Sequence, residues 1–272
     1  MMVSYNPTSL QEALELRAAK HLIPYAGGTD LMVENRDTAD YLFLNRLQEL
    51  KEIREDEDMI RIGAAVTFTE ALENRLVPSI MKEALSQIAS PAIRNAGTFG
   101  GNLGNGSAKA DTVTVEYAMD AKVRLLSVRG ERLMDVDRFC LGRKKTDLKE
   151  DELIAEILLP KTGLERYYYE KVGGRQALAI SRVSFAGIFA DENGRITKLS
   201  TAFGAVADTI LRFRDLETML IGKTLEEAKE EKAQFLNAYA EHLNLTEGRV
   251  SAEYRRAVCL NLLNAFLEKF GI

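Results

Sequence analysis

Two short glycine clusters carry the residue types from which an anion site can be built. One is Ala26-Gly27-Gly28-Thr29-Asp30-Leu31; the other is Thr98-Phe99-Gly100-Gly101-Asn102, followed by Asn105-Gly106-Ser107 and Asp111. In each, paired glycines stand beside hydroxyl and amide side chains. Without Cβ atoms the backbone can bring successive N–H groups against an anion, and threonine or asparagine adds donors for the remaining phosphate oxygens. One glycine pair alone more often makes only a tight turn. Two of them, about seventy residues apart and each beside a hydroxyl, point to a pyrophosphate clamped from both sides. Neither cluster is followed by Gly-Lys-Ser/Thr or reads GxGxxG after a strand, which disfavours a P-loop or a Rossmann site.

Other chemistry is sparse. His21 and His242, the only histidines, have no carboxylate or thiol at ligand or triad spacing, so no catalytic residue and no metal ligand is assigned. Cys140 and Cys259 are far apart and lack CxxC or CxxH spacing, which reads as inert thiols rather than a disulfide or an iron–sulfur ligand set. Asp111 suits the N-cap of a helix starting at Thr112 as well as a ligand contact. The run Arg143-Lys144-Lys145 is either a solvated loop or a patch facing an acidic partner or a phosphate.

The elements that must position these loops follow from composition and periodicity. With 272 residues, 46% hydrophobic and 28% charged, the chain can bury two cores. A net charge of −5 gives no broad attraction for nucleic acid or anionic lipid. No window approaches ~18 uninterrupted apolar residues and no leader-like segment stands at the start, so no membrane insertion and a cytoplasmic location are expected. Ser9 with Glu12 predicts a helix start, and Leu22 to Ala26 a strand running into the first glycine cluster. Strands are expected at Tyr41 to Leu44 and Met59 to Ile62, helices through Thr67 to Gln87 with a restart at Pro78, then a helix from Thr112 to Met119. Strands Ala121 to Ser127 and Glu152 to Leu159 follow.

After Pro160 three strand-like runs come in succession, Tyr167 to Val172, Val183 to Ala190 and Ile196 to Val206, the last two joined by Asp191-Glu192-Asn193-Gly194 as a hairpin turn. Helical segments at Asp208 to Leu220, Leu225 to Leu243 and Ser251 to Phe270 close the chain. The expected architecture is α+β, with a domain over 1–162 made of two subdomains split near 55–65 and a second domain over 163–272.

At this level of detail the sequence resembles a known family. Ala26 to Leu31 is similar to the first flavin loop of the molybdopterin dehydrogenase FAD-binding subunits, which include the medium subunit of carbon monoxide dehydrogenase and the flavin segment of xanthine dehydrogenase. The family's second loop, Arg-Asn-x-Gly-Thr-x-Gly-Gly-Asn, stands here as Arg94 to Asn102, with Asp111 nine residues later. Phe139 to Thr146 resembles its Phe-x-x-Gly-x-[Arg/Lys]-x-Thr signature, and the likeness continues through Asp151 to Ile154, Lys171, Arg175 and Ile180-Ser181.

The resemblance implies a two-part FAD-binding domain of the vanillyl-alcohol-oxidase/PCMH type, followed by a three-stranded antiparallel sheet with a helical bundle. It implies that Pro24, Tyr25, Ala26, Gly27, Gly28, Thr29, Asp30 and Leu31, with Thr98, Phe99, Gly100, Gly101 and Asn102, hold the pyrophosphate and ribose. Ile88 and Ile154 would flank the flavin, Asp111 would accept hydrogen bonds, and Lys171 would lie near the isoalloxazine. It further implies a 2Fe-2S partner, a molybdopterin-cofactor partner, and NAD⁺ or another carrier as electron acceptor. Ser107-Ala108-Lys109 departs from the family's Ser-Pro or Asp-Pro before the aspartate, and Gly104-Asn105-Gly106 is unusually rich in glycine. The competing readings are a free-standing FAD-dependent oxidoreductase of the vanillyl-alcohol-oxidase type and a non-catalytic assembly protein that keeps the fold without FAD.

Overall fold

The computed structural model describes residues 3–34, 39–175 and 177–272. It divides into two compact units that are each discontinuous in sequence: one takes the chain up to Val77, Ala89–Ser107 and Asp120–Pro160, the other Pro78–Ile88, Ala108–Met119 and Lys161–Ile272.

In the first unit, Ser4–Tyr5, Tyr41–Phe43 and Ile23–Tyr25 form a three-stranded sheet with Tyr41–Phe43 in the middle and both pairings parallel. The helix Leu10–Ala19 connects the outer strands and is capped by Ser9, whose hydroxyl accepts from the Glu12 N–H. It buries Ala13 and Leu14 in a cluster with Leu22, Leu42 and Leu153. A five-stranded antiparallel sheet runs in the order Ile53–Glu55, Met59–Gly63, Leu153–Pro160, Lys122–Ser127, Gly130–Asp135. Because Ile53–Glu55 pairs with Met59–Gly63 as a hairpin, the change from one sheet to the other falls between Phe43 and Ile53, upstream of 55–65.

Its central strand, Leu153–Pro160, is buried on both faces, including Glu156. That carboxylate is held by Arg54 at 2.5 Å, Arg61 at 3.1 Å and Arg124 at 3.2 Å. The arrangement satisfies a charge that could not otherwise be taken out of water.

In the second unit, Tyr167–Val172, Val183–Glu192 and Arg195–Gly204 make an antiparallel meander. Its hairpin turn places Asn193 at φ 50° and Gly194 at φ 76°, the left-handed pair that matches the twist of the flanking strands. The helices Leu225–His242 and Ala252–Lys269 cover it through a core that includes Phe185, Phe203, Phe235, Tyr239 and Phe266. The helix Asp111–Ala118 packs on the two longer strands and Ser79–Ser86 on the first. Every residue of Asp111–Ala118 is buried. Burial pushes its Glu116 up to about 8, against the opposing effect of the Thr112 side chain, and so it holds its proton at neutral pH.

The helix expected over Asp208 to Leu220 shrinks to Arg214–Glu217. Leu211 and Phe203 exchange both backbone hydrogen bonds at 2.9 Å, which holds the preceding segment extended. Arg212 reaches the Ser200 hydroxyl at 2.9 Å and the Glu217 carboxylate at 3.0 Å.

Candidate cofactor site

The strand Ile23–Tyr25 delivers the first glycine cluster, and packing explains both of its glycines. The Tyr25 ring lies 4.6 Å from that of Phe43, and its phenol oxygen occupies the place beside Gly28 where a Cβ would come within 2.0 Å. Gly28 has φ +69°, and a Cβ on Gly27 would fall 1.9 Å from the Ala96 carbonyl oxygen. The chain then turns into the short helix Leu31–Glu34, with the Met32 N–H donating to the Gly28 carbonyl at 3.0 Å. Through this turn the backbone N–H groups of Gly27, Gly28, Thr29, Asp30 and Leu31 find no acceptor among the described residues. A concave turn of unsatisfied amides is an anion cradle.

The second cluster behaves differently. Thr98 caps the helix Phe99–Gly104, its hydroxyl accepting from the Gly101 N–H at 3.1 Å. The Phe99 N–H donates to the Val66 carbonyl at 3.1 Å, that of Gly100 to Ala64 at 2.9 Å, and that of Asn102 to Thr98 at 2.9 Å. The expected clamp of amides from both sides is therefore corrected: in the second loop the N–H groups of Phe99, Gly100, Gly101 and Asn102 are engaged inside the protein. What its glycines provide is closeness. A Cβ on Gly100 would meet Ala64 at 2.5 Å, whereas one on Gly101 would meet only the Thr98 hydroxyl, at 2.9 Å.

Between these loops lies a cavity of about 290 Å³, at the small end for ligand sites. Pro24, Ala26, Gly27, Gly28, Thr29, Asp30, Leu31, Thr98, Gly100, Gly101, Asn102 and Ile154 all line it. Tyr25 and Phe99 do not; they lie behind it as packing, Phe99 edge-on to Phe68 at 5.9 Å. Glu34, Gly104, Asn105, Lys144 and Leu148 also line the cavity; of these the sequence reading singled out Asn105 beside the second cluster and left Lys144 open between a solvated loop and a phosphate-facing patch, and it gave no cofactor role to the other three. The Asn105 amide donates to Asp30 at 2.6 Å, and the Lys144 ammonium donates to the Asn105 carbonyl and to Glu34 at 3.0 Å. Only the extra glycine around Asn105 and the charge run at Arg143 to Lys145 hinted at this corner.

The remaining expected residues belong to the second unit. Asp111 is not the N-cap of its helix; Ala110 is, and Asp111 opens the first turn. Its buried carboxylate accepts from the Lys171 ammonium at 2.7 Å and the Ser181 hydroxyl at 2.6 Å. Lys171 also donates to the Gln87 carbonyl at 2.9 Å. Burial raises the Asp111 pKa, and Lys171 and Ser181 oppose that rise. Ile88 is half-buried just past the helix Ser79–Ser86. Burial also pushes the Cys259 thiol up to about 12, away from reactivity. Among the described residues no cluster of histidine, cysteine and carboxylate side chains could hold a metal ion, and no helix is long and apolar enough to cross a membrane.

Comparison with known proteins gives consistent matches. The family described as FAD binding domain in molybdopterin dehydrogenase matches residues 1–162, and the CO dehydrogenase flavoprotein C-terminal domain matches residues 167–270. The nicotinate dehydrogenase FAD-subunit of Eubacterium barkeri is 34% identical over 237 residues, covering 81% of this chain and 80% of that protein. The xanthine dehydrogenase FAD-binding subunit of Escherichia coli O157:H7 is 34% identical over 203 residues, 71% of this chain and 69% of that one. A solved carbon monoxide dehydrogenase structure from Hydrogenophaga pseudoflava superposes with a TM-score of 0.88 at 26% identity, over 97% of this chain and 95% of that one.

Proposed function

This chain belongs to the family of FAD-binding domains in molybdopterin dehydrogenases, and from that premise we propose that it passes electrons from a 2Fe-2S partner to NAD⁺ or another carrier. It is an FAD-dependent oxidoreductase subunit of the xanthine and carbon monoxide dehydrogenase kind. The observation that carries the reading is the row of N–H groups from Gly27 to Leu31, without acceptors among the described residues and set at a cavity. An anionic linker satisfies donors that are otherwise costly to leave unmade. The side-chain-free surface at Gly101 gives that linker room. FAD fits these residues; when bound, it supplies reversible uptake of one or two electrons.

The chain's own part is to bind and orient. Pro24, Ala26 to Leu31, Thr98 and Gly100 to Asn102 take the pyrophosphate and ribose with Tyr25 and Phe99 packed behind them, and Ile154 borders the flavin. The family resemblance also assigns Ile88, Asp111 and Lys171 to the flavin ring. In that role the ion pair fixes the Lys171 ammonium as a donor, since two of its three protons are already directed to Asp111 and the Gln87 carbonyl. Residues 1–162 form the FAD-binding domain, of the vanillyl-alcohol-oxidase type, and 163–272 the C-terminal flavoprotein domain.

The partners follow from inventory. A 2Fe-2S cluster takes four protein ligands, usually thiolates, and these 272 residues hold two cysteines, so a 2Fe-2S partner supplies the cluster, and the family resemblance assigns the molybdenum cofactor to a molybdopterin-cofactor partner. Free thiols suit a reducing compartment, and the cytoplasm is the proposed location.

The purified chain is expected to be yellow with one FAD that denaturation releases, because neither histidine nor cysteine lines the cavity among the described residues. Absorbance before and after acid precipitation checks this. A colourless folded chain that ignores added FAD removes the reading. Efficient turnover of an organic substrate by this chain alone would replace it with a free-standing flavoenzyme.

A further inference from the structure

One side chain at the cavity has a placement that the backbone goes out of its way to produce. Lys144 stands on the turn between the strands Cys140–Gly142 and Lys145–Thr146, in a left-handed conformation with φ 58°. That region disfavours residues with a Cβ. The Lys144 N–H donates to the Gly106 carbonyl at 2.8 Å, and Gly106 is itself left-handed, at φ +58°, where a Cβ would press tightly on the Lys145 nitrogen at 3.0 Å. The two left-handed residues seat the turn on the loop that follows the second glycine cluster, and this aims the lysine at Asn105 and Glu34.

Charge at the cavity is lopsided. Among the described residues that line it, Asp30 and Glu34 are the carboxylates and Lys144 is the one cation. Asp30 is engaged by the Asn105 amide, and Asn105 in turn accepts from Lys144. A pyrophosphate diester is a dianion, and backbone dipoles alone leave it uncompensated beside two carboxylates.

We propose that Lys144 is a further pyrophosphate-binding residue of this site, held at its lip by Glu34 and Asn105 and transferred to phosphate oxygen when the dinucleotide binds. The proposal rests on the FAD reading above. Two of the three ammonium protons are used by Glu34 and Asn105, so one remains for a phosphate oxygen before either contact breaks. The side chain is about half exposed, at 49%, so its stem can move without opening the core. Glu34 competes with phosphate for the same cation, which gives the pair a signature that a merely structural bridge lacks.

The experiment titrates the full-length apo-chain with FAD at low and high ionic strength, using wild type, Lys144→Met, Lys144→Arg and Glu34→Gln. Lys144→Met is expected to weaken FAD binding about tenfold or more and to flatten its salt dependence. Lys144→Arg is expected to stay within about threefold of wild type, since it keeps the charge. Glu34→Gln is expected to tighten binding about threefold by removing the competitor. Binding by Lys144→Met within about twofold of a wild type that does bind FAD overturns the proposal and leaves the FAD reading intact. Equal loosening by Glu34→Gln and Lys144→Met also overturns it, because that is the mark of a structural bridge. A wild-type chain that fails to bind FAD overturns the FAD reading and this proposal together.

Discussion

The two glycine loops start from nearly the same composition and end in opposite states. In the first, tight packing against Tyr25 and Ala96 forces a turn whose amides face outward from Gly27 to Leu31 without acceptors among the described residues. In the second, the same kind of glycine pair lets a helix start so close to Ala64 and Val66 that the amides of Phe99 and Gly100 bond to those carbonyls. A glycine pair thus permits close approach, and what it approaches decides whether donors are left for a ligand. The first loop is a cradle; the second is a wall.

That contrast can be broken most forcefully at Gly27. Gly27→Ala puts a Cβ 1.9 Å from the Ala96 carbonyl oxygen, so FAD binding should be lost and stability should fall by about 2 kcal/mol or more, read by flavin titration and by chemical denaturation. A variant as stable as wild type would mean that the first loop does not need its close packing. Gly101→Val is the sharper case. Its Cβ would meet only the Thr98 hydroxyl, at 2.9 Å, at a position that lines the cavity, so FAD affinity should drop at least about tenfold while apo-chain stability changes by about 1 kcal/mol or less. A large fall in melting temperature without selective loss of FAD would assign Gly101 to the fold.

The smallest effects come from the two threonines, as a reciprocal pair. Thr98→Val removes a helix cap and should cost about 1 kcal/mol of stability. Thr29→Val removes a hydroxyl that has no partner among the described residues and should leave stability within about 0.5 kcal/mol. Its FAD affinity should weaken several-fold. If the two variants exchange these phenotypes, the roles of cradle and wall are exchanged as well.

Much of the fold was legible where a local signal decides the backbone. Ser9 caps its helix, Asn193-Gly194 turns its hairpin, and three strand-like runs in succession locate the meander. Signals of another kind were silent. The strand Gly130–Asp135 is polar because it is the outer strand of its sheet, so no periodicity marks it. Asp208 to Phe213 has helix-compatible residues, yet the bridge from Leu211 to Phe203, a contact between residues of different elements, holds it extended. The loop positions of the site could be read from residue type, but the state of their donors could not, since it depends on Val66 and Ala64. The charge run left Lys144 open between a solvated loop and a phosphate-facing patch for a related reason: a left-handed lysine has no sequence signature, and its aim comes from Gly106 across the turn.

The discontinuous division of the chain also has a consequence for biosynthesis. The helices Ser79–Ser86 and Asp111–Ala118 leave the ribosome well before Tyr167–Val172, Val183–Glu192 and Arg195–Gly204, the strands on which they pack. Domains tend to fold as units in the order they are made, and here the first unit is complete at Pro160 while two apolar helices of the second still wait. Once residue 160 has cleared the exit tunnel, the first unit has all of its chain while these two helices still lack the strands on which they pack. The apolar faces of these helices stay uncovered over that interval, which closes only when the three strands of the meander have emerged.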